Sequence, residues 1–92
     1  MQEFEYDEVK RQHTLSLRKL DMADAWLIFA GKTLTFEDVR VSYGEARFLT
    51  VGHLRGRMVI ICWTPRDSIY RIISMRKTNE RETKAYRGSL GI

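Results

Sequence analysis

The residues best suited to chemistry are basic side chains at the ends and turns of predicted strands and at the start of the last predicted helix. The planar donor fork of an arginine matches phosphate oxygens, and several around one groove would hold an RNA backbone and stabilise a pentacoordinate phosphate. Any single member is more simply explained as a strand-end side chain that reaches into water. We assign RNA contact to the group as a whole: Arg47, Arg55, Arg57, Arg66, Arg71, Arg76, Lys77 and Arg81.

Two histidines and two tyrosines accompany these cations. His53 lies in a predicted hairpin and is the best candidate for proton transfer, because histidine titrates near neutral pH. His13 falls on the first predicted helix, where a structural or interface role is the simpler interpretation. Tyr70 and Tyr86 are close in sequence to the basic residues and offer rings on which bases could stack.

Other chemistries have little support in the sequence. Gly31-Lys32-Thr33 resembles the end of a P-loop, but that motif needs a glycine where Trp26 stands. The two histidines are far apart and the carboxylates show no metal-ligand spacing, so we predict no metal and no cofactor. Cys62 lies within an apolar strand, where a buried structural thiol is expected rather than a nucleophile.

Charge is divided unevenly along the 92 residues. Residues 1–46 carry six basic and nine acidic side chains, a net charge of −3, whereas residues 47–92 carry ten basic and three acidic side chains, a net charge of +7. We therefore expect a polyanion to bind the second half. The single cysteine and the lack of an apolar stretch of about 20 residues favour a cytoplasmic protein without a membrane segment.

The pattern of apolar residues predicts one α+β domain over residues 1–92, with a core at about 4–87 and a short tail at 88–92. A helix is expected over 8–19, with Val9, His13 and Leu17 on one stripe that Leu20 closes. A second helix is expected from Asp21, with its apolar face formed by Ala23, Trp26, Leu27 and Ala30.

Strand patterns follow the two helices. A short edge strand is possible at 4–6, and a meander of antiparallel strands is predicted from Thr33, with a turn at 42–45. The run 57–63 is apolar on both faces and should be the central strand. A last helix should begin near Thr78, with acidic residues first and basic residues last.

Several segments of this chain resemble the BrnT family of bacterial toxins. They are Phe4-Glu5-Tyr6-Asp7 with Lys10, residues 25–29, 33–38 and 47–52, Gly56-Arg57, and Arg71-Ile72-Ile73-Ser74-Met75-Arg76-Lys77. The resemblance covers about residues 4–86 with matching spacing. One departure is Leu17-Arg18-Lys19, where many relatives carry a glycine between the two helices.

The resemblance implies a RelE-like fold: two N-terminal helices packed on a twisted antiparallel sheet of about four strands, plus a C-terminal helix. It also implies a ribonuclease toxin of a type II toxin–antitoxin system. The partner would be a BrnA antitoxin with a ribbon-helix-helix domain, in a heterotetramer of two toxins and two antitoxins that contacts operator DNA only through the antitoxin.

From these observations we expect metal-independent cleavage of RNA that inhibits translation and growth. Arg57, Arg76 and His53 are the predicted catalytic residues, and the predicted RNA contacts are Arg47, Arg55, Arg71, Lys77, Arg81 and Tyr86. The alternative is a non-catalytic module whose basic face binds RNA or an acidic protein. Such a module would bind RNA without shortening it.

Overall fold

A computed structural model describes residues 1–40, 42 and 44–90 of the chain. Along the sequence, its elements are β1 (Glu3–Tyr6), α1 (Glu8–Arg18), a 3-10 turn (Met22–Asp24), α2 (Ala25–Ala30), β2 (Leu34–Glu37), β3 (Phe48–Leu54), β4 (Arg57–Arg66), β5 (Ile69–Lys77) and α3 (Glu80–Leu90). The α+β class and the order of elements agree with the sequence prediction. The turn predicted at 42–45 includes Tyr43, and the tail predicted at 88–92 includes residues 91 and 92, all three outside the described residues.

The sheet has five strands in the order β1-β5-β4-β3-β2, which corrects the prediction of an antiparallel sheet of about four. Strands β2 to β5 form the expected antiparallel meander, whereas β1 pairs in parallel with β5. The sheet is therefore mixed. A four-residue strand that pairs with a segment more than 60 residues away leaves no local signal of its partner or direction.

Most of the apolar stripe predicted for α1 does not face the core, although its last member, Leu20, is buried there. Val9 and Leu17 are 65% and 81% exposed, and His13 is exposed as well. The helix is instead fastened to the sheet edge beyond β1: Lys10 Nζ donates to the Ile73 carbonyl at 3.2 Å, and Arg18 Nη1 donates to the Met75 carbonyl at 2.9 Å. These cations satisfy carbonyl groups that β1 is too short to reach.

The second helix buries a face that only partly matches the predicted one, since Leu27 packs against the core as expected. A 3-10 turn precedes α2, and the buried residues Met22, Ala25 and Ile28 recur at a spacing of three. Trp26, predicted on the inner face, is 53% exposed. The tighter turn rotates the following helix, so the pattern of a single regular helix from Asp21 gave the wrong face.

Strand β4 is central and carries apolar side chains on both faces, as predicted. Val59, Ile61 and Trp63 belong to the larger core under the N-terminal helices. On the opposite face Met58 and Ile60 pack with Val51, Leu90 and the neighbouring side chains of a smaller core. Because α3 covers only part of this second face, the remainder of it is left open.

Strand β3 packs against α2 at Gly52 with no room for a side chain, so we expect Gly52→Ala to destabilise the fold. An added methyl group would lie 2.8 Å from Ile28 Cγ2 and 3.2 Å from Thr33 Cγ2. Such overpacking costs roughly 1–3 kcal/mol. Denaturant unfolding would measure the loss.

The matched control is Gly88→Ala in α3, where nothing lies within 4 Å of the added group. Because alanine is the better helix former, this change should stabilise the protein by up to about 1 kcal/mol. Equal effects of the two substitutions would contradict the packing described for Gly52.

Candidate functional site

An open cavity of about 200 Å³ occupies the part of the second sheet face that α3 leaves uncovered. We call it the arginine cleft. It is lined by Asp38, Arg40, Arg47, Leu49, Ile60, Cys62, Ile73, Ser74 and Arg76. A neighbouring hollow, which we call the side hollow, shares several of these residues and is completed by Phe36, Glu37, Val39, Glu82 and Tyr86.

Strand register explains why these side chains meet. Leu49, Cys62 and Ser74 are cross-strand partners on β3, β4 and β5, and therefore lie on the same face. Arg76 is the partner of Ile60 on that face. Arg47 immediately precedes β3, where its carbonyl accepts from Asp38 N at 2.8 Å.

Arg76 is held by Glu82 in a two-pronged ion pair. Nη1 lies 2.8 Å from Oε1 and Nη2 lies 2.7 Å from Oε2. Glu82 is itself fixed in a capping box at the start of α3: its Oε1 accepts from Asn79 N at 2.9 Å, and its own N–H donates to Asn79 Oδ1 at 2.8 Å. The N-terminus of α3 therefore orients the Arg76 guanidinium.

The ion pair changes the pKa of both partners. Hydrogen bonds from Arg76, and then from Asn79, lower the pKa of Glu82 to about 2. The hydrogen bonds to Glu82 raise the pKa of Arg76. Both groups are therefore charged throughout the physiological range, and Arg76 is a permanent cation in the cleft.

A second arginine, Arg40, sits above a buried carboxylate. Asp38 has a side chain that is 1% exposed, and its oxygens accept from Arg40 Nε at 2.8 Å and Nη2 at 2.9 Å. This contact lowers the pKa of Asp38 to about 2. Because the Arg40 side chain is 70% exposed, the pair presents its cation to solvent and keeps its anion inside.

Cys62 lies half-buried in the floor of the cleft. Burial raises the pKa of its thiol, and this effect outweighs the lowering by Arg47 and Arg40. The thiol is therefore protonated at neutral pH and is a poor nucleophile. This placement agrees with the structural role expected from the sequence.

The structure brings part of the predicted site together. Arg47 and Arg76 line the arginine cleft, and Tyr86 lines the side hollow. Arg71, as the cross-strand partner of Thr64, lies further along the same sheet face, with Nη1 3.4 Å from Glu5 Oε1. These four residues surround one basic surface.

The remaining predicted residues lie elsewhere. Arg57 lines a separate cavity with residues of the other side of α3, and its Nη2 donates to the Thr78 carbonyl at 2.9 Å. His53 is four residues along β3 from Leu49, about 13 Å at the rise of a strand. Arg55 lies in the turn and binds Asp24, while Lys77 and Arg81 are exposed at the end of β5 and on α3.

Sequence reasoning missed Arg40, Glu82 and Phe36 as site residues. Arg40 falls in the acidic half of the chain, so the division of charge directed attention away from it. Glu82 did leave a signal, because Asn79 followed three residues later by a glutamate is a capping-box pattern. That pattern places a carboxylate at the start of α3 but does not say which cation it meets.

Within residues 1–40, 42 and 44–90, no three His, Cys, Asp or Glu side chains cluster closely enough to hold a metal ion. None of the helices in this part of the chain is long and apolar enough to cross a membrane.

Comparison with protein families matches residues 6–82 to the family described as ribonuclease toxin, BrnT, of type II toxin-antitoxin system. The chain belongs to the BrnT family. The matched segment contains every residue that lines the arginine cleft, together with Glu82. A search of curated proteins found no match.

Family membership confirms the resemblance seen in the sequence. BrnT proteins are ribonuclease toxins of type II toxin–antitoxin systems, so an RNA target and an antitoxin partner follow from membership. In the described part of this BrnT chain, the arginine cleft brings together Arg40, Arg47 and Arg76.

The Arg76–Glu82 pair predicts a pH dependence of stability. The folded pKa of Glu82 lies below its ordinary value of 4.5, so the stabilisation is complete above about pH 5 and is lost as pH falls towards 2. We expect Glu82→Gln to lower the free energy of unfolding at pH 7 by about 1 kcal/mol, with the deficit shrinking in acid. Urea unfolding at a series of pH values would measure it.

Glu80→Gln is the matched control, because it removes the same charge from the same first turn of α3. Glu80 is exposed and meets only Lys84, at 3.6 Å, among the ion pairs described. Its substitution should change stability little at any pH. An identical pH profile for the two variants would contradict the role assigned to the Arg76 contact.

Proposed function

We propose that this protein is a cytoplasmic toxin that cuts RNA internally, without a metal ion, in the arginine cleft, and so inhibits translation and growth. The observation that carries the proposal is the convergence of Arg40, Arg47 and Arg76 around one open cavity of a BrnT chain. A guanidinium has five N–H donors and a permanent positive charge, so an arginine that binds a carboxylate with two of those donors still attracts a phosphate.

The proposed reaction is internal transesterification. The 2′-oxygen of the RNA attacks the adjacent phosphorus, the bond from phosphorus to the 5′-oxygen breaks, and a 2′,3′-cyclic phosphate remains. One proton leaves the 2′-hydroxyl and one is added to the departing 5′-oxygen. The cations are needed most at the pentacoordinate stage, because the phosphate then carries its greatest negative charge.

Among the predicted residues, we assign transition-state stabilisation to Arg76. It is oriented by Glu82, yet its side chain is still 42% exposed towards the cleft. Arg47, Arg71 and Tyr86 are proposed to hold the RNA on the same face. An RNA strand that continues past α3 would meet a second group of predicted residues, which lie outside the cleft.

That second group contains Arg57 and His53, which the sequence suggested as catalytic. Because they lie outside the arginine cleft, we propose that they contact flanking RNA, together with Arg55, Lys77 and Arg81. Because Arg57 and His53 lie outside the cleft, substitutions can separate their contribution to RNA cleavage from that of Arg76.

The decisive experiment is incubation of purified protein with single-stranded RNA in EDTA. We expect wild type to shorten the RNA and Arg76→Gln to cleave it at least about 100-fold more slowly, the size of effect seen when one transition-state donor is removed. Arg57→Gln is the control, since it removes the same charge outside the cleft. It should weaken binding but retain cleavage to within a few-fold, and His53→Asn should do likewise.

Three results would contradict the proposal. Wild type that shifts RNA in a gel without shortening it would establish the non-catalytic module instead. If EDTA abolishes cleavage and added metal restores it, the metal-independent route is excluded. A greater loss of cleavage in Arg57→Gln or His53→Asn than in Arg76→Gln would move the reaction to the other side of α3.

We also infer that the antitoxin partner is of the BrnA type and covers the arginine cleft in a 2:2 heterotetramer. The support is family membership and the exposed cations of that cleft, which an acidic antitoxin segment would complement. Adding the antitoxin encoded beside the toxin gene should stop RNA cleavage, and light scattering should give the mass of two copies of each chain. A complex that still cleaves RNA would exclude occlusion.

A further inference from the structure

Phe36 is an aromatic side chain at the edge of the arginine cleft. It lies on edge strand β2, and its register with Leu49, and through Leu49 with Cys62, places it on the same sheet face as the cleft. Phe36 is 36% exposed, so part of its ring is accessible to solvent.

The ring stacks on a neighbouring aromatic side chain. Phe36 and Tyr86 stack with ring centroids 6.1 Å apart and an interplanar angle of 27°. Tyr86 is half-buried and packs against the core that contains Ile60, Val51 and Leu90. The pair therefore forms a supported aromatic platform rather than two independent side chains.

Cations lie beside this platform. Phe36 and Tyr86 line the side hollow together with Arg40 and Arg76, whose side chains also line the arginine cleft. A phosphate held by these arginines would leave an attached nucleotide within reach of the hollow. Aromatic side chains beside a basic groove are the arrangement by which proteins bind single-stranded nucleic acid.

We propose that Phe36, backed by Tyr86, is the stacking surface for one unpaired nucleobase next to the phosphate held in the arginine cleft. The inference rests on the proposed function and adds to it a position that recognises one base of the RNA. A base within a duplex is already stacked on both sides, so only an unpaired one is free to lie on the Phe36 ring. Phe36 is then a determinant of substrate choice and does not take part in bond breaking.

The test uses the full chain and a short single-stranded RNA with 2′-O-methyl groups, which cannot undergo attack by the 2′-oxygen. Binding is measured by fluorescence anisotropy for wild type, Phe36→Leu and Phe36→Tyr. Leucine keeps the apolar volume but removes the aromatic face, so we expect about 5- to 100-fold weaker binding, the range for loss of one stacked base. Tyrosine should bind within about twofold of wild type.

A second arm removes the base instead of the ring. An abasic residue is placed at each position of the RNA in turn. In wild type, one position should lose affinity by about the same factor as Phe36→Leu does. In Phe36→Leu, the abasic residue at that position should cause no further loss of affinity, because the stacking of the base on the ring is already absent.

Trp26→Leu is the matched control. Trp26 is an exposed aromatic residue on α2, which packs against the other face of the sheet. Its substitution should leave binding unchanged. Phe36→Tyr and Phe36→Leu should also share the wild-type salt dependence of binding, whereas Arg76→Gln should reduce it, because only the arginine contacts phosphate.

The proposal is overturned if folded Phe36→Leu binds the RNA as tightly as wild type, if no abasic position is coupled to Phe36, or if Trp26→Leu loses as much affinity. If Phe36→Leu still binds RNA but no longer binds the antitoxin, the platform is a contact for a protein partner. Failure of the platform proposal can be told apart from failure of the proposed function. If wild type shows the coupled binding but does not cleave unmodified RNA, the platform is retained and the ribonuclease activity is excluded.

Discussion

Burial of β4 on both faces is the constraint from which the rest of the structure follows. A strand with apolar side chains on alternate sides requires cover above and below the sheet, and one helical layer cannot supply it. The N-terminal helices cover one face completely around Val59 and Ile61, and α3 covers the other only around Met58 and Ile60. The uncovered remainder of that second face is the arginine cleft. The same packing that stabilises the fold therefore leaves room for a site.

The cleft is coupled to the fold through α3. Glu82 closes the capping box with Asn79 and binds both terminal nitrogens of Arg76. One carboxylate thus accepts from a backbone N–H at a helix start and orients a cation on the neighbouring strand. On the other side of the cleft, buried Asp38 holds Arg40 in the same manner. In both pairs the carboxylate is more buried than the arginine, which directs positive charge towards solvent.

Much of the fold could be predicted from local patterns. The meander, the central position of β4 and the presence of three helices follow from periodicity, turn residues and caps. The parallel pairing of β1 could not be predicted, because it depends on where the chain returns after α1. The inner faces predicted for α1 and α2 were also largely wrong. Val9 and Leu17 are exposed, and a 3-10 turn rotates Ala25 and Ile28 inward. Periodicity identifies an apolar stripe but not whether another element covers it.

By itself, the sequence determined the family, the α+β class and the basic character of the second half of the chain. Residue types and their spacing along the chain carry that information. Tertiary structure alone decided which cations share a cavity: it joined Arg40 from the acidic half to Arg47 and Arg76, and it set Arg57 and His53 apart. The physical reason is that strand register and the path of α3 fix these distances. Both arise from long-range packing, which no local stretch of residues encodes.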